Sequence, residues 1–468
     1  MKPTTVAAID LGATSGRVIV GRFSSDGFEL TETHRFPNGF RTLGKNAYWE
    51  VGSLYEEVRA GLRKAVELFP ETRSCGVDTW AVDYALVDES GRLVFPVHSY
   101  RDTRTEPILR EIEETGMARQ LYDWTGLPVI SFNTGVQFME TLRAYPQLAE
   151  MARRALFLPD YFNYLLSGEM VNEFSVASSS QLLDVQGDDY APGAMEYFQV
   201  PAHWLQKPER AGRVLGPVRG IDGVRDLRVS LVPGHDTSCA FEAIPGTDRD
   251  MIVSSGTWIL MGARTPHALT GEDAFTLGIS NERCGDAGYR PCKNLMGLWL
   301  LEQLLPQFRE RPQSDAEWSA LITAAEQATP PKECLDTSDR SLFNPPNMKE
   351  AIDAQLQARS LPVPTSLPEY TRLICDSLAR SMADTAERYS KIAGISYERM
   401  VMVGGGSKNR LLCQRTADFT GMPVVSYSLE GTAVGNMAYQ LLALGAVDSL
   451  HDCREIIRRG INEKIYQP

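Results

Sequence analysis

Apolar and polar positions along this chain fall into two alternating periods. The apolar run Val6 to Ile9 and a second run, Val18 to Val20, are joined by the small residues Gly12-Ala13-Thr14-Ser15-Gly16, which predicts a strand-turn-strand hairpin. Leu54, Val58, Leu62 and Val66 then recur at four-residue steps. They predict a helix to about Phe69, opened by the capping box Ser53-Leu54-Tyr55-Glu56. Gly76 to Asp78 and Ala81 to Val87 read as strands, closed by a turn at Asp88-Glu89-Ser90-Gly91. The apolar strand Val229 to Val232 runs into Pro233-Gly234-His235-Asp236-Thr237, and Lys293 to Glu302 reads as the start of a buried helix. Towards the C-terminus, Ser366-Leu367-Pro368-Glu369 is a second capping box, followed by Ile374, Leu378 and Met382 on one helix face and a stop at Gly394. A strand at Met400 to Val403 leads into Gly404-Gly405-Gly406, then come a helix from Asn409 to Phe419 and Gly421. A strand at Val424 to Tyr427 and a further helix after Gly431-Thr432-Ala433-Val434-Gly435-Asn436 complete the pattern. Strands alternating with helices in both halves predict an α/β fold.

The first hairpin has an echo. Ala7 to Gly16 is similar to Met251 to Trp258, about 245 positions on, and both read strand, small-residue turn, strand. Two unrelated hairpins would give the same pattern; two similar lobes, each offering a phosphate-binding turn to a shared cleft, would explain it. On that reading the boundary falls near residue 240, with lobes at 1–240 and 241–468.

Composition narrows the partners. The 468 residues allow two to four domains, and the 43% apolar and 23% charged shares are those of an ordinary globular protein. A formal net charge of -13 with no run of Lys or Arg argues against nucleic acid or an anionic membrane surface as the main partner. No apolar stretch reaches the roughly 18 residues needed to span a bilayer, and the residues after Lys2 lack a signal-peptide pattern. The 8 cysteines are scattered with no CxxC pair, and they read as free thiols of a cytoplasmic chain.

Several segments carry chemistry. A turn of Gly, Ala, Thr and Ser lets backbone amides approach phosphate oxygens. Asp10, at the end of the first strand, can face a phosphate-bound magnesium, and Arg17 adds a fixed positive charge. Asp236, at a strand end, reads either as a helix N-cap or as a general base accepting the proton of an attacking hydroxyl. Asp78-Thr79-Trp80-Ala81-Val82-Asp83-Tyr84 and Tyr100-Arg101-Asp102-Thr103-Arg104 combine acids with aromatic faces, as sugar sites do and as exposed turns also do. Asn294 is either a cap or a ligand contact, and Gly404-Gly405-Gly406 allows a close backbone approach to a base or a phosphate.

Taken in order with Ser255-Gly256-Thr257-Trp258 and Asn294-Leu295-Met296-Gly297-Leu298-Trp299, these motifs resemble the FGGY carbohydrate kinases, and within them the rhamnulokinase subfamily, from about residue 5 to 460. The resemblance implies a two-lobed sugar-kinase/actin/Hsp70-type (ribonuclease H-like) fold with an inter-lobe cleft. It implies transfer of phosphate from ATP, with Mg2+, to the C1 hydroxyl of a ketose, L-rhamnulose. By resemblance, Ala13, Thr14, Ser15, Gly16 and Arg17 meet the ATP phosphates, with Thr257, Glu302 and Gly405 as further nucleotide contacts. Asp10 holds the metal through water, and Asp236 is the base. The sugar is met by Ala81, His235, Asp236, Thr237 and Asn294. The expected partners are a small-molecule ketose and ATP, with no nucleic acid or membrane, in a monomer or homodimer. Two positions depart from the subfamily: Ala81 stands where Gly is expected, and Glu302 where Gln is expected. Another ketose substrate stays open, and more remotely a non-sugar ATPase of the actin/Hsp70 fold.

Overall fold

The computed structural model describes residues 2–468. The chain forms two compact units. The first comprises Met1–Pro245, Arg264–Pro291 and Glu430–Gly460; the second comprises Gly246–Ala263, Cys292–Leu429 and Ile461–Pro468. The single crossing expected near residue 240 is therefore replaced by a discontinuous division, because residues 264–291 and 430–460 return to the first unit.

The first unit is built on a six-stranded sheet in the order Gly27–Pro37, Ser15–Ser24, Thr4–Leu11, Thr72–Thr79, Arg228–Leu231, Arg213–Pro217. Thr4–Leu11 is buried at every position, as a strand covered on both faces must be. It pairs antiparallel with Ser15–Ser24 and parallel with Thr72–Thr79. The helix Val51–Leu68 presents Leu54, Val58, Leu62 and Ala65 to the core. It begins before the expected capping box: Ser53 lies inside the helix, and Glu50 is the N-cap without a side-chain bond. Burial of Val51 extends the helix past the local signal.

The helix Gly431–Ala443 closes the first unit from far along the chain. Its buried amides reach the sheet: Asn436 Nδ2 donates to the Gly76 carbonyl at 3.1 Å, and Gln440 Nε2 to the Ala7 carbonyl at 2.8 Å. It also crosses the helix Asp236–Ala243 so closely that a Cβ on Gly435 would stand 1.8 Å from the Cys239 carbonyl oxygen.

In the second unit the strands run in the order Tyr289–Met296 (of which Cys292–Met296 belongs to this unit), Trp258–Gly262, Asp250–Ser255, Arg399–Val403, Val424–Tyr427, Glu463–Tyr466. Asp250–Ser255 pairs antiparallel with its hairpin mate and parallel with Arg399–Val403. This repeats the arrangement around Thr4–Leu11, so the sequence echo corresponds to the same local topology in each unit. The helix Leu367–Ala393 keeps its capping box, with Glu369 accepting from the Ser366 amide at 3.1 Å, and ends at Gly394. Lys293 and Asn294 are strand residues rather than the start of a helix; the helix begins at Trp299. Pairing of Leu260 with Asn294 holds this apolar run extended. No helix among the described residues is long and apolar enough to cross a membrane.

The Gly435 crossing gives a direct stability test. Gly435→Ala forces two helix backbones apart and is expected to cost about 3 kcal/mol or more. Gly52→Ala, on an exposed helix position with nothing within 4 Å of the added methyl, is expected to be neutral or to stabilise by up to about 1 kcal/mol. Thermal melts of the two variants beside the parent check the contrast.

Candidate functional site

The first unit gathers negative charge at one end of its sheet. Asp10 and Asp78 are register partners on adjacent parallel strands, so their side chains leave the same face. Asp78 is fully buried; its Oδ2 accepts from Asn436 Nδ2 at 2.6 Å, and its Oδ1 has no hydrogen-bond partner. Burial raises the Asp78 carboxyl well above the usual range, and the charges of Asp10 and Asp236 raise it further. Asp10 is raised mainly by burial, against the lowering effect of Arg17, with Asp236 adding to the rise. Arg17 answers part of this charge: its Nη2 lies 2.9 Å from Asp10 Oδ2, and its Nη1 lies 2.8 Å from Glu430 Oε2. The charge of Asp236 thus disfavours ionisation of both Asp10 and Asp78, and that of Asp10 disfavours ionisation of Asp78; carboxylate oxygens are the donors that hard divalent cations take.

The hairpin turn lies beside Asp10. Its carbonyls are engaged: Asn38 Nδ2 donates to the Gly12 carbonyl at 2.7 Å, and the Asn38 amide to the Thr14 carbonyl at 2.9 Å. Among the described residues no acceptor is found for the amides of Ala13 and Thr14. Ser15, Gly16 and Arg17 already belong to the return strand. The turn therefore offers donors, as an anion site requires.

The segment after Leu231 makes a tight turn before the helix Asp236–Ala243. His235, not Asp236, is the N-cap, and it contributes no side-chain cap bond. Asp236 is the first helical residue, its Oδ1 accepting from the Thr237 amide at 2.5 Å and from Thr237 Oγ1 at 3.1 Å. One-third of its side chain stays exposed. The Thr79 amide donates to the Gly234 carbonyl at 2.9 Å, which holds the Trp80 loop against this turn. In that loop the strand expected from Ala81 is shortened to Tyr84–Val87. Ala81 and Val82 instead take left-handed backbone conformations, with φ of 64° and 54°. Such values are uncommon for any residue with a side chain and are strained for a β-branched one.

His235 is held from behind. Its Nδ1 lies 2.9 Å from Glu282 Oε2 and 2.8 Å from Arg290 Nη2, and Arg290 also pairs with Glu282. Burial pushes the Glu282 carboxyl up, but Arg290 and His235 outweigh it and hold the group well below the usual range. His235 Nε2 faces Asp236 Oδ1 at 3.5 Å. The reading of the sequence missed Glu282, Arg290, Glu430 and Asn436. Each lies far along the chain from the residue it supports, and no local pattern announces such a pair.

In the second unit, Thr257, Glu302 and Gly405 come together. Thr257 Oγ1 lies 3.3 Å from Glu302 Oε2, and Glu302 and Gly405 line a cavity of about 480 Å³ with Leu298, Trp318, Ile322 and Lys408. The glycine triplet divides its work. Gly404 has φ of +82° and packs on the Ser255 carbonyl, Gly406 leaves no room for a Cβ beside Ser255, and Gly405 is open. Asn294 is exposed on its strand.

Glu242, Cys284 and Asp286 also bring ligand atoms within 4.8 Å of one another. Arg454 Nη2 already pairs with Glu242 at 2.6 Å, and Arg264 lies in the same charge environment. Two guanidinium groups make this an ion-pair network in which a cation is disfavoured.

Known proteins fall into line with this geometry. Models of the N-terminal and C-terminal domains of the FGGY family of carbohydrate kinases match residues 5–220 and 251–444. A rhamnulokinase of Enterobacter sp. (strain 638) is 36% identical over 455 residues, covering 96% of this chain and 91% of that protein. The solved glycerol kinase of Plasmodium falciparum with ADP aligns with a TM-score of 0.80 at 13% identity, covering 99% of this chain and 94% of that one. The xylulose kinase of Rhodospirillum rubrum aligns with a TM-score of 0.78 at 16% identity, covering 99% and 94%. These structures share the fold, and the domain models and the 36% identical relative give the membership: the chain belongs to the FGGY family of carbohydrate kinases.

Proposed function

We propose that this carbohydrate kinase transfers the γ-phosphate of ATP to the C1 hydroxyl of L-rhamnulose, giving L-rhamnulose 1-phosphate and ADP. The observation that carries the reading is the placement of Asp236. A carboxylate one-third exposed stands at the start of a helix, beside a loop of aromatic residues, with two buried acids and a donor-rich turn in the same unit. The substrate is taken from the 36% identical rhamnulokinase, whose similarity runs along 96% of the chain.

The roles follow from chemistry. Asp236 accepts the proton of the C1 hydroxyl as that oxygen attacks phosphorus. Both bonds from Thr237 fall on its Oδ1, which leaves Oδ2 for this work. His235 and Thr237 flank the base and orient sugar hydroxyls, and the Ala81 backbone meets the sugar from the adjoining loop. The amides from Ala13 to Gly16 and the Arg17 guanidinium receive the phosphates. Glu302 and Gly405 line the nucleoside pocket; beside a ribose, the Glu302 carboxylate acts as a hydroxyl acceptor. Magnesium, when bound, neutralises charge on the phosphates. Asp10, with Asp78 behind it, is the group that would hold it.

A coupled ADP-release assay across L-rhamnulose, L-fuculose, L-xylulose, D-xylulose, L-ribulose and D-fructose is expected to show its highest kcat/KM with L-rhamnulose. A maximum on another ketose moves the substrate, and a panel at the no-sugar rate removes the kinase reading. Asp236→Asn is expected to lower kcat by about 10²- to 10⁴-fold while leaving the sugar KM within a few-fold; parent-level turnover sinks the assignment. Asp78→Asn, which removes the buried acid beside Asp10, is expected to raise the magnesium concentration needed for half-maximal rate by about 10-fold, a change of about 1.4 kcal/mol. A magnesium titration at saturating ATP and sugar reads this.

A further inference from the structure

The loop beside the base is organised around one carboxylate that no role above uses. Asp83 is fully buried and receives four donors. Its Oδ2 accepts from the Trp49 indole at 2.6 Å, the Trp80 indole at 2.9 Å and the Tyr100 amide at 3.2 Å; its Oδ1 accepts from Gln137 Nε2 at 3.1 Å. The rings so held pack on one another. Trp49 and Trp80 have centroids 4.2 Å apart, Trp49 and Tyr100 6.4 Å, and Tyr100 and Phe132 5.7 Å. Trp49 is buried, whereas Trp80, Tyr100 and Phe132 are only half-buried. Tyr100 lies within the electrostatic reach of both Asp83 and Asp236, and the Thr79–Gly234 bond sets the Trp80 loop against the turn that carries the base.

Two features show that the position is imposed on the chain. The left-handed pair Ala81-Val82 is a strained path between Trp80 and Asp83. It persists because the Val82 carbonyl is bound by Thr134 Oγ1 at 2.7 Å and Gln137 Nε2 at 3.2 Å, so the same glutamine fixes both the strained turn and the carboxylate. Burying an acid is costly, and a cheaper neutral core would hold a loop equally well if only stability mattered.

We propose that Asp83 is a positioning residue of the sugar pocket: it fixes the indole of Trp80 and the backbone at Tyr100 so that Trp80, Tyr100 and Phe132 form the apolar wall for the carbon face of the ketose. For a 6-deoxy ketose, the methyl end packs on this wall. The assignment rests on the kinase reading given above. Asp83 touches no reacting atom and acts through the rings it holds.

The test uses Asp83→Asn and Trp80→Phe in the full chain, with magnesium-ATP and the ketose that the parent turns over best. An asparagine offers one acceptor oxygen, and its amide opposes the Gln137 donor. Trp80→Phe keeps a ring and deletes a single bond to Asp83. Both variants are expected to raise the sugar KM, Asp83→Asn by about 10-fold or more, with kcat and the KM for ATP changed less than about threefold. The preference for L-rhamnulose over L-fructose, its 6-hydroxy counterpart, is expected to shrink, since a methyl niche discriminates by about 10- to 200-fold. Asp83→Asn is also expected to shift the tryptophan emission of the folded enzyme. An unchanged sugar KM in both folded variants overturns the proposal, as does a parallel fall of kcat and rise of both KM values, which would mark Asp83 as structural. Should Asp83→Asn fail to fold, Trp80→Phe decides alone. A parent that prefers another ketose overturns the substrate reading, and the KM comparison on that ketose still decides the role of Asp83.

Discussion

Negative charge held out of water is the constraint on which the first unit depends. Asp10 and Asp78 sit side by side on adjacent strands, and Asp236 adds its field from the helix that follows the third parallel strand. A buried carboxylate without compensation is expensive, and here compensation is partial by construction. Arg17 answers Asp10, and Asn436 answers one oxygen of Asp78. The other Asp78 oxygen is left with nothing. An arrangement optimised for stability alone would not keep it.

That demand explains why residues beyond position 430 return to the first unit. A neutral amide is the group that satisfies a buried carboxylate without adding a second full charge, and Asn436 supplies it. Gln440 Nε2 donates to Asn436 Oδ1 at 2.7 Å and also to the Ala7 carbonyl, so the amide is itself oriented by the next turn of its helix. For Asn436 to reach Asp78, the helix must lie almost in contact with the backbone of the Asp236 helix. Gly435 is the residue that allows this approach. One helix therefore fixes the buried acid and the element carrying the proposed base together.

The alternation of strands and helices, both hairpins, the second capping box and the C-terminal strand at Val424–Tyr427 were legible because each is written in short-range periodicity. Three readings failed where tertiary contacts overrode that signal. Burial of Val51 started a helix before Ser53, strand pairing kept Lys293 and Asn294 extended, and the donors around Asp83 and Val82 turned Ala81 out of a strand. In the candidate site, the motif residues could be singled out because small residues and acids at strand ends are conspicuous. Their supports were not: Glu282 and Arg290 lie 47 and 55 positions from His235, and Asn436 lies 358 from Asp78. Pairing over such separations is a property of the folded topology and leaves no periodic trace.

The repeated hairpin shows one backbone arrangement carrying different residues at its strand end. In each unit a buried strand has an antiparallel mate on one side and a parallel neighbour on the other, with a glycine-bearing turn between strand and mate. Matching Gly12 with Gly256 puts Ser254 where the first copy has Asp10. The second copy thus keeps the turn and drops the acid. A carboxylate, Glu302, arrives there from a separate helix and meets the hydroxyl of Thr257. The two copies thus share one backbone arrangement and differ at a single strand-end residue: Asp10 brings an acid to the first turn from its own strand, whereas Ser254 does not, and the second turn meets its acid only through a separate helix.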